Sequence, residues 1–139
     1  MSHPHLNKYP PKMSPTSLIS PDAIIDDNRY VSIGDFTWIG PVHIIGHTHV
    51  QNLEFQQIMY ANGTPEKAVQ PANDLYIDHH CWLDECTILP QVTYIAPYTV
   101  IGYGAVVAKD ILQEGCIWVG NPAKAIRKHD FKRLTEVIL

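Results

Sequence analysis

The sequence is short of cysteine, of charge and of long apolar runs, and each shortage argues against a class of protein. Its three cysteines, Cys81, Cys86 and Cys116, are an odd number and form no CxxC pair. That argues against a disulfide framework and for a reducing cytoplasm, with the thiols packing as small hydrophobes. No stretch approaches the ~20 apolar residues that span a bilayer, so no membrane partner is expected. The formal net charge of -4 supplies no basic field, so no nucleic-acid partner is expected either. What is present, 45% hydrophobic and 17% charged residues over 139 positions, suits a soluble globular protein of one domain. Residues 1–15, MSHPHLNKYPPKMSP, are polar and proline-rich. They read as a loose arm over 1–16, neither signal nor transit peptide.

From Leu75 onward the chain repeats. Ile77, Leu83, Leu89, Ile95, Ile101 and Val107 recur every six residues, each preceded two places earlier by a small or medium residue. Ile33, Ile39 and Ile45, each followed by glycine, form an upstream run that Ile19 and Ile25 extend backward. No helix has a period of six, and plain strand alternation does not single out every third apolar site. The period suits a triangular coil in which each hexad makes one short strand and one corner, with the aliphatic side chain inward. Three hexads make a turn, so the eleven visible here make nearly four coils. A sandwich or barrel of irregular short strands is the competing architecture, and six aliphatics in phase speak against it.

Two segments break the period. Residues 51–73 form a 23-residue excursion, too long for an ordinary connection and therefore expected to be functional or mobile. Residues 123–139 place Ile126, Leu134, Val137 and Ile138 at roughly helical spacing, which predicts a terminal helix closing the coil. The expected organisation is an N-terminal arm (1–16), a β-helix (17–122) with its loop at 51–73, and a C-terminal helix (123–139).

The stretch IGYGAVVAKDILQEGCIWVGNPAKAIRK, residues 101–128, resembles the C-terminal signature of hexapeptide-repeat acetyltransferases, close to IGAGSVVTKD followed by GNPAKVIR. The segment VSIGDFTWIGPVHIIGHTH, residues 31–49, is most similar to the sugar and polysaccharide O-acetyltransferases of the galactoside and maltose type. The resemblance covers roughly residues 17–128. It implies an all-β, left-handed parallel β-helix, the exception to right-handed parallel crossovers. It further implies a homotrimer with active sites between neighbouring subunits and acetyl coenzyme A as acyl donor. No metal is expected.

Moving an acetyl group from a thioester to a hydroxyl needs a base for the acceptor's proton and donors for the developing oxyanion. Histidine suits the first task. His47, directly after Gly46, occupies the family's GH position and is the expected catalytic residue, with His49 the alternative if the alignment slips. The resemblance places Trp82, Tyr103, Ala108, Lys109, Lys124 and Arg127 at coenzyme A, the cations on its phosphates. Trp82 serves equally well as packing at the trimer interface. His79 and His80 are expected in a solvent-facing corner. Asp84, Glu85, Tyr103 and Ala108 depart from the family's pattern, which leaves room for an altered acyl donor or lost activity. The acceptor is expected to be a sugar, held by residues 26–29 and the 51–73 loop. N-acetylation of an amino sugar, a non-catalytic β-helix and a γ-carbonic-anhydrase-like metal protein are the alternatives; the last lacks that family's histidine spacing.

Overall fold

The computed structural model describes residues 11–26, 30–49 and 52–130. The six-residue period folds into a prism whose sides are strands of two or three residues. β1 (Lys12–Met13), β2 (Leu18–Ile19) and β3 (Ile24–Ile25) form the first coil. β4 (Val31–Ile33), β5 (Trp38–Ile39) and β6 (His43–Ile44) form the second. The chain then leaves the prism through β7 (His47–His49), α1 (Leu53–Ala61), a 3-10 turn (Pro65–Ala68) and β8 (Val69–Pro71). It resumes with β9 (Leu75–Ile77), β10 (Trp82–Leu83) and β11 (Thr87–Ile88), then β12 (Tyr94–Ile95), β13 (Val100–Ile101) and β14 (Val106–Val107). Ile111 bridges back to Ile95, and β15 (Cys116–Val119) and β16 (Lys124–Lys128) finish the described chain.

Three parallel sheets result: β1-β4-β9-β12, β2-β5-β10-β13 continued by β15 and β16, and β3-β6-β11-β14. Each short strand turns one side chain in and the next out, as pleating requires. The inward columns are Met13, Ile33, Ile77 and Ile95; Ile19, Ile39, Leu83 and Ile101; and Ile25, Ile44, Ile88 and Val107. These columns, with Cys81, Cys86, Val92 and Ala105 beside them, form one continuous core.

Five expectations need correction. Ile88, not Leu89, fills the core, and Ile44, not Ile45, does so one coil earlier. The corner between the second and third sheets explains both. It has two residues in these coils, Gly40–Pro41 and Asp84–Glu85, but three in the flanking coils, 20–22 and 102–104. Where it has three, Gly104 takes a left-handed φ of 78° that Asp84 and Glu85 avoid. Among the described residues the β-helix already includes Lys12, which pairs with Ser32, so residues 11–16 are not a loose arm; residues 1–10 lie outside the described residues. Lys124–Lys128 is a strand antiparallel to β15 and not a helix, while 131–139, the rest of the expected helix, lies outside the described residues. Without β16 the outer backbone groups of β15 would be unpaired at the end of the sheet, and strand pairing satisfies them where a helix does not. Finally, the excursion begins at His47, four residues earlier than the broken period suggests, because β7 and β8 zip into a hairpin at its root.

The corner between the first and second sheets carries a ladder of rings. Phe36, His80 and Tyr98 occupy equivalent places in successive coils with φ of 53°, 57° and 58°. His80 lies flat on Tyr98, 4.8 Å away, and tilted against Phe36 at 5.1 Å. Stacking offsets part of the cost of the left-handed backbone.

Candidate active site

His47 stands where the prism gives way to the arm. Gly46 ends the corner after β6, and its carbonyl accepts the Ala72 N–H at 2.9 Å, so the two legs of the arm close at this point. The His47 ring is 40% exposed, and its Nδ1 lies 2.8 Å from Oδ2 of Asp26, a carboxylate only 16% exposed. The Gly46 N–H donates to the same oxygen at 3.0 Å. His43 approaches the other oxygen, Nε2 to Oδ1, at 3.7 Å. Asp26 follows Ile25, which pairs with Ile44 across one coil, and this register carries the carboxylate to the root of the arm. Beside it opens a cleft of about 10 Å³, room for one water molecule, walled by Ile45, Leu89 and Pro90 and on the arm side by Ala72.

The arm itself packs little on its own chain. Asn52 caps α1 through Oδ1, which accepts the Phe55 N–H at 2.9 Å, yet the helix buries none of its residues. Leu53, Phe55, Ile58 and Tyr60 are all exposed.

The other sequence-predicted residues fall on three parts of the prism. Ala108 and Lys109 share the edge of Gly46: the β6-β11-β14 register makes Gly46, Pro90 and Lys109 equivalent in successive coils, with about 4.8 Å per coil. Lys109 is exposed, and the Ala108 carbonyl accepts the Gln91 side-chain amide. Tyr103 stands on a different edge, largely exposed, where its bond to Glu85 raises its phenol above the ordinary range. Two of the four departures noted in the sequence thus engage each other. Trp82 projects from the second sheet, 43% exposed, and stacks on Trp38 at 4.2 Å. The register row Trp82, Val100, Ile117 and Arg127 puts Arg127 on the same face, three strands or roughly 14 Å away, with exposed Lys124 on the same strand. Within one chain His47 and this face do not meet. His49 lies on β7 opposite Val69.

His79 and His80 do occupy a corner, but their rings are not turned freely to solvent. The two Nδ1 atoms lie 2.8 Å apart, which only one proton between them permits, and both rings pack on Tyr98. Burial, and then His79, lower the affinity of His80 for a proton, with Asp35 opposing. Next to them, burial would raise the Asp78 carboxyl, but hydrogen bonds from Tyr94 at 2.6 Å, the His79 N–H and Tyr76 hold it below the ordinary range. Among the described residues no group of three or more His, Cys, Asp or Glu is placed to hold a metal ion, and no helix is long and apolar enough to cross a membrane.

Asp26 is the residue that sequence reasoning missed in this role; it figured only in an insertion expected to border the acceptor. Residues 27–29 of that insertion lie outside the described residues. The available signal was one of coil length: an acid about one coil before a histidine lies beside it.

No family model matches the chain, and no curated protein resembles it in sequence. Solved structures do match in fold. One is a hexapeptide-repeat-containing acetyltransferase from Vibrio cholerae O1 biovar eltor in complex with acetyl coenzyme A, with TM-score 0.61 and 17% identity over 81% of this chain and 67% of that one. A galactoside acetyltransferase in complex with coenzyme A gives 0.59 and 18% identity over 88% of this chain and 67% of that one. An N-acyltransferase from Bacillus cereus, bound to dTDP and 3-hydroxybutyryl-CoA, gives 0.53 and 14% identity over 90% and 72%. The prism is therefore the left-handed parallel β-helix that the sequence resemblance implied.

Proposed function

We propose that this protein is an acyltransferase that moves an acetyl group from acetyl coenzyme A to a hydroxyl of a sugar or polysaccharide precursor. The observation that carries the reading is His47, a half-exposed imidazole held on a rigid coil at the root of a projecting arm. A base placed so can be aligned with an acceptor while the arm limits access of water. In the reaction His47 takes the proton of the acceptor hydroxyl as its oxygen attacks the thioester carbonyl carbon. The carbon–sulfur bond then breaks, and the proton passes from His47 to the departing thiolate.

Lys124 and Arg127 are suited to the phosphates of coenzyme A, and Lys109 to a second contact along the Gly46 edge. Because His47 and the Trp82–Arg127 face lie on separate parts of one chain, the active site belongs between subunits of a homotrimer. The exposed apolar residues of α1 support that arrangement, since a neighbour gives them a surface to cover. A reducing cytoplasm suits the three free cysteines.

The test is thiol release from acetyl coenzyme A over a panel of sugars, nucleotide sugars and their amino counterparts. A hydroxyl acceptor should be found, and His47→Ala should lower turnover roughly 10²–10⁴-fold, the usual worth of general-base catalysis. The fold match to an N-acyltransferase favours one other reading. Turnover restricted to amino sugars would establish N-acylation in its place. Full turnover by the variant would remove His47 from the chemistry.

A further inference from the structure

The two nitrogens of the His47 ring are not equivalent in this structure, and the difference comes from another coil. An ionised carboxylate only accepts hydrogen bonds, so the 2.8 Å contact between His47 Nδ1 and Asp26 Oδ2 requires the proton on Nδ1. In the neutral ring the lone pair is then on Nε2. The Gly46 N–H, donating to the same oxygen at 3.0 Å, ties that carboxylate to the backbone immediately before His47. His43, at 3.7 Å from the other oxygen, is beyond hydrogen-bonding range and does not compete for the role.

We infer that Asp26 is the positioning residue of the site, fixing the Nδ1–H tautomer of His47 so that Nε2 faces the acceptor as base. This rests on the His47 reading above and adds to it a named nitrogen and a named partner. When Nε2 takes the acceptor's proton the ring becomes a cation, and the carboxylate already in contact with Nδ1 stabilises it. The same carboxylate holds Gly46, where the arm is rooted, so the orientation of the base and the placement of the arm share one anchor.

Nitrogen-15 long-range NMR of the full chain at neutral pH tests the tautomer without any variant: His47 should show a protonated Nδ1 and a bare Nε2. Asp26→Ala removes the oxygen that accepts both the Nδ1–H and the Gly46 N–H, whereas the carbonyl oxygen of an asparagine held at that place by Gly46 would still accept from Nδ1. Asp26→Ala should shift His47 toward the Nε2–H tautomer and lower kcat between about tenfold and the ~10²–10⁴ of losing the base, with KM for acetyl coenzyme A unchanged. A wild-type ring protonated on Nε2, or an Asp26→Ala protein with unaltered tautomer and turnover, overturns the proposal. A His47→Ala variant with full turnover overturns the base reading separately, and the NMR result then still decides whether Asp26 sets the ring's tautomer.

Discussion

Ile88 and Leu89 are neighbours, both aliphatic, and the two-residue corner at Asp84–Glu85 assigns them different duties. Ile88 is 1% exposed, with Ile44 and Val107 as its partners in the coils on either side. Leu89 is half-buried at the wall of the small cleft. Ile88→Ala removes three carbons, each worth about 0.8 kcal/mol of transfer, or about 2.4 kcal/mol. Its partners are fixed by backbone pairing and cannot collapse into the gap, so the cavity adds about 1 kcal/mol more. Leu89→Ala loses part of the transfer and leaves space that water can enter, costing about 1 kcal/mol. With a urea slope of about 2 kcal/mol per molar, the midpoint should fall by roughly 1.7 M for Ile88→Ala and 0.5 M for Leu89→Ala. Both variants should be compared at one protein concentration, because the proposed assembly would add to apparent stability. A Leu89→Ala shift equal to or larger than that of Ile88→Ala would refute the corner assignment and restore the uninterrupted six-residue phase.

Replacing Lys124 and Arg127 together with alanine should raise KM for acetyl coenzyme A at least tenfold and leave turnover at saturation nearly unchanged, since each phosphate contact is worth ~1.5–3 kcal/mol; steady-state kinetics with unchanged KM would place the phosphates elsewhere. Stability should decline as pH falls through about 6.5, because the unfolded chain then takes up a proton that folded His80, with its lowered affinity, resists. Urea midpoints at pH 7.5 and 5.5 should show that decline in the wild type and a smaller one in His80→Asn; Asp78, held below the carboxylate range, adds its own loss only under more acidic conditions. Burial first of all pushes the Cys81 and Cys86 thiols up to about 12, so alkylation of the native protein at pH 8 should leave both unmodified, as peptide mass spectrometry would show.

Most of the architecture is legible in the residues because one obligatory aliphatic per hexad is a strong constraint, and Ile77, Leu83, Ile95, Ile101 and Val107 point inward as their spacing requires. The phase is lost where two aliphatics stand together. At Ile44–Ile45 and Ile88–Leu89 either residue satisfies the pattern, and only the number of residues in the preceding corner decides between them. The segment from Lys124 to Lys128 misleads for a different reason: alanine, lysine and isoleucine suit a helix in isolation, but the open edge of β15 recruits the chain as a strand. His47 was accessible from its place after Gly46 at the end of a run of coils. Its partner Asp26 was not, since that pairing depends on register across a coil.

The arm also leaves a seam in the order of folding. Stacked partners on either side of the arm are 16 to 20 residues apart, as in Met13 with Ile33 or Ile95 with Ile111, but Ile33 meets Ile77 across 44. Closing the longer loop costs roughly 0.7 kcal/mol more in chain entropy, with no added pairing between coils in return. The seam divides the prism into two segments of short-range contacts, two coils before the arm and two after it, so each can assemble locally before they join. Their docking brings Ile45 and Gly46 on one side of the seam against Leu89 and Pro90 on the other. The wall of the candidate site is therefore complete only when the two halves have met, which ties it to the longest closure in the prism.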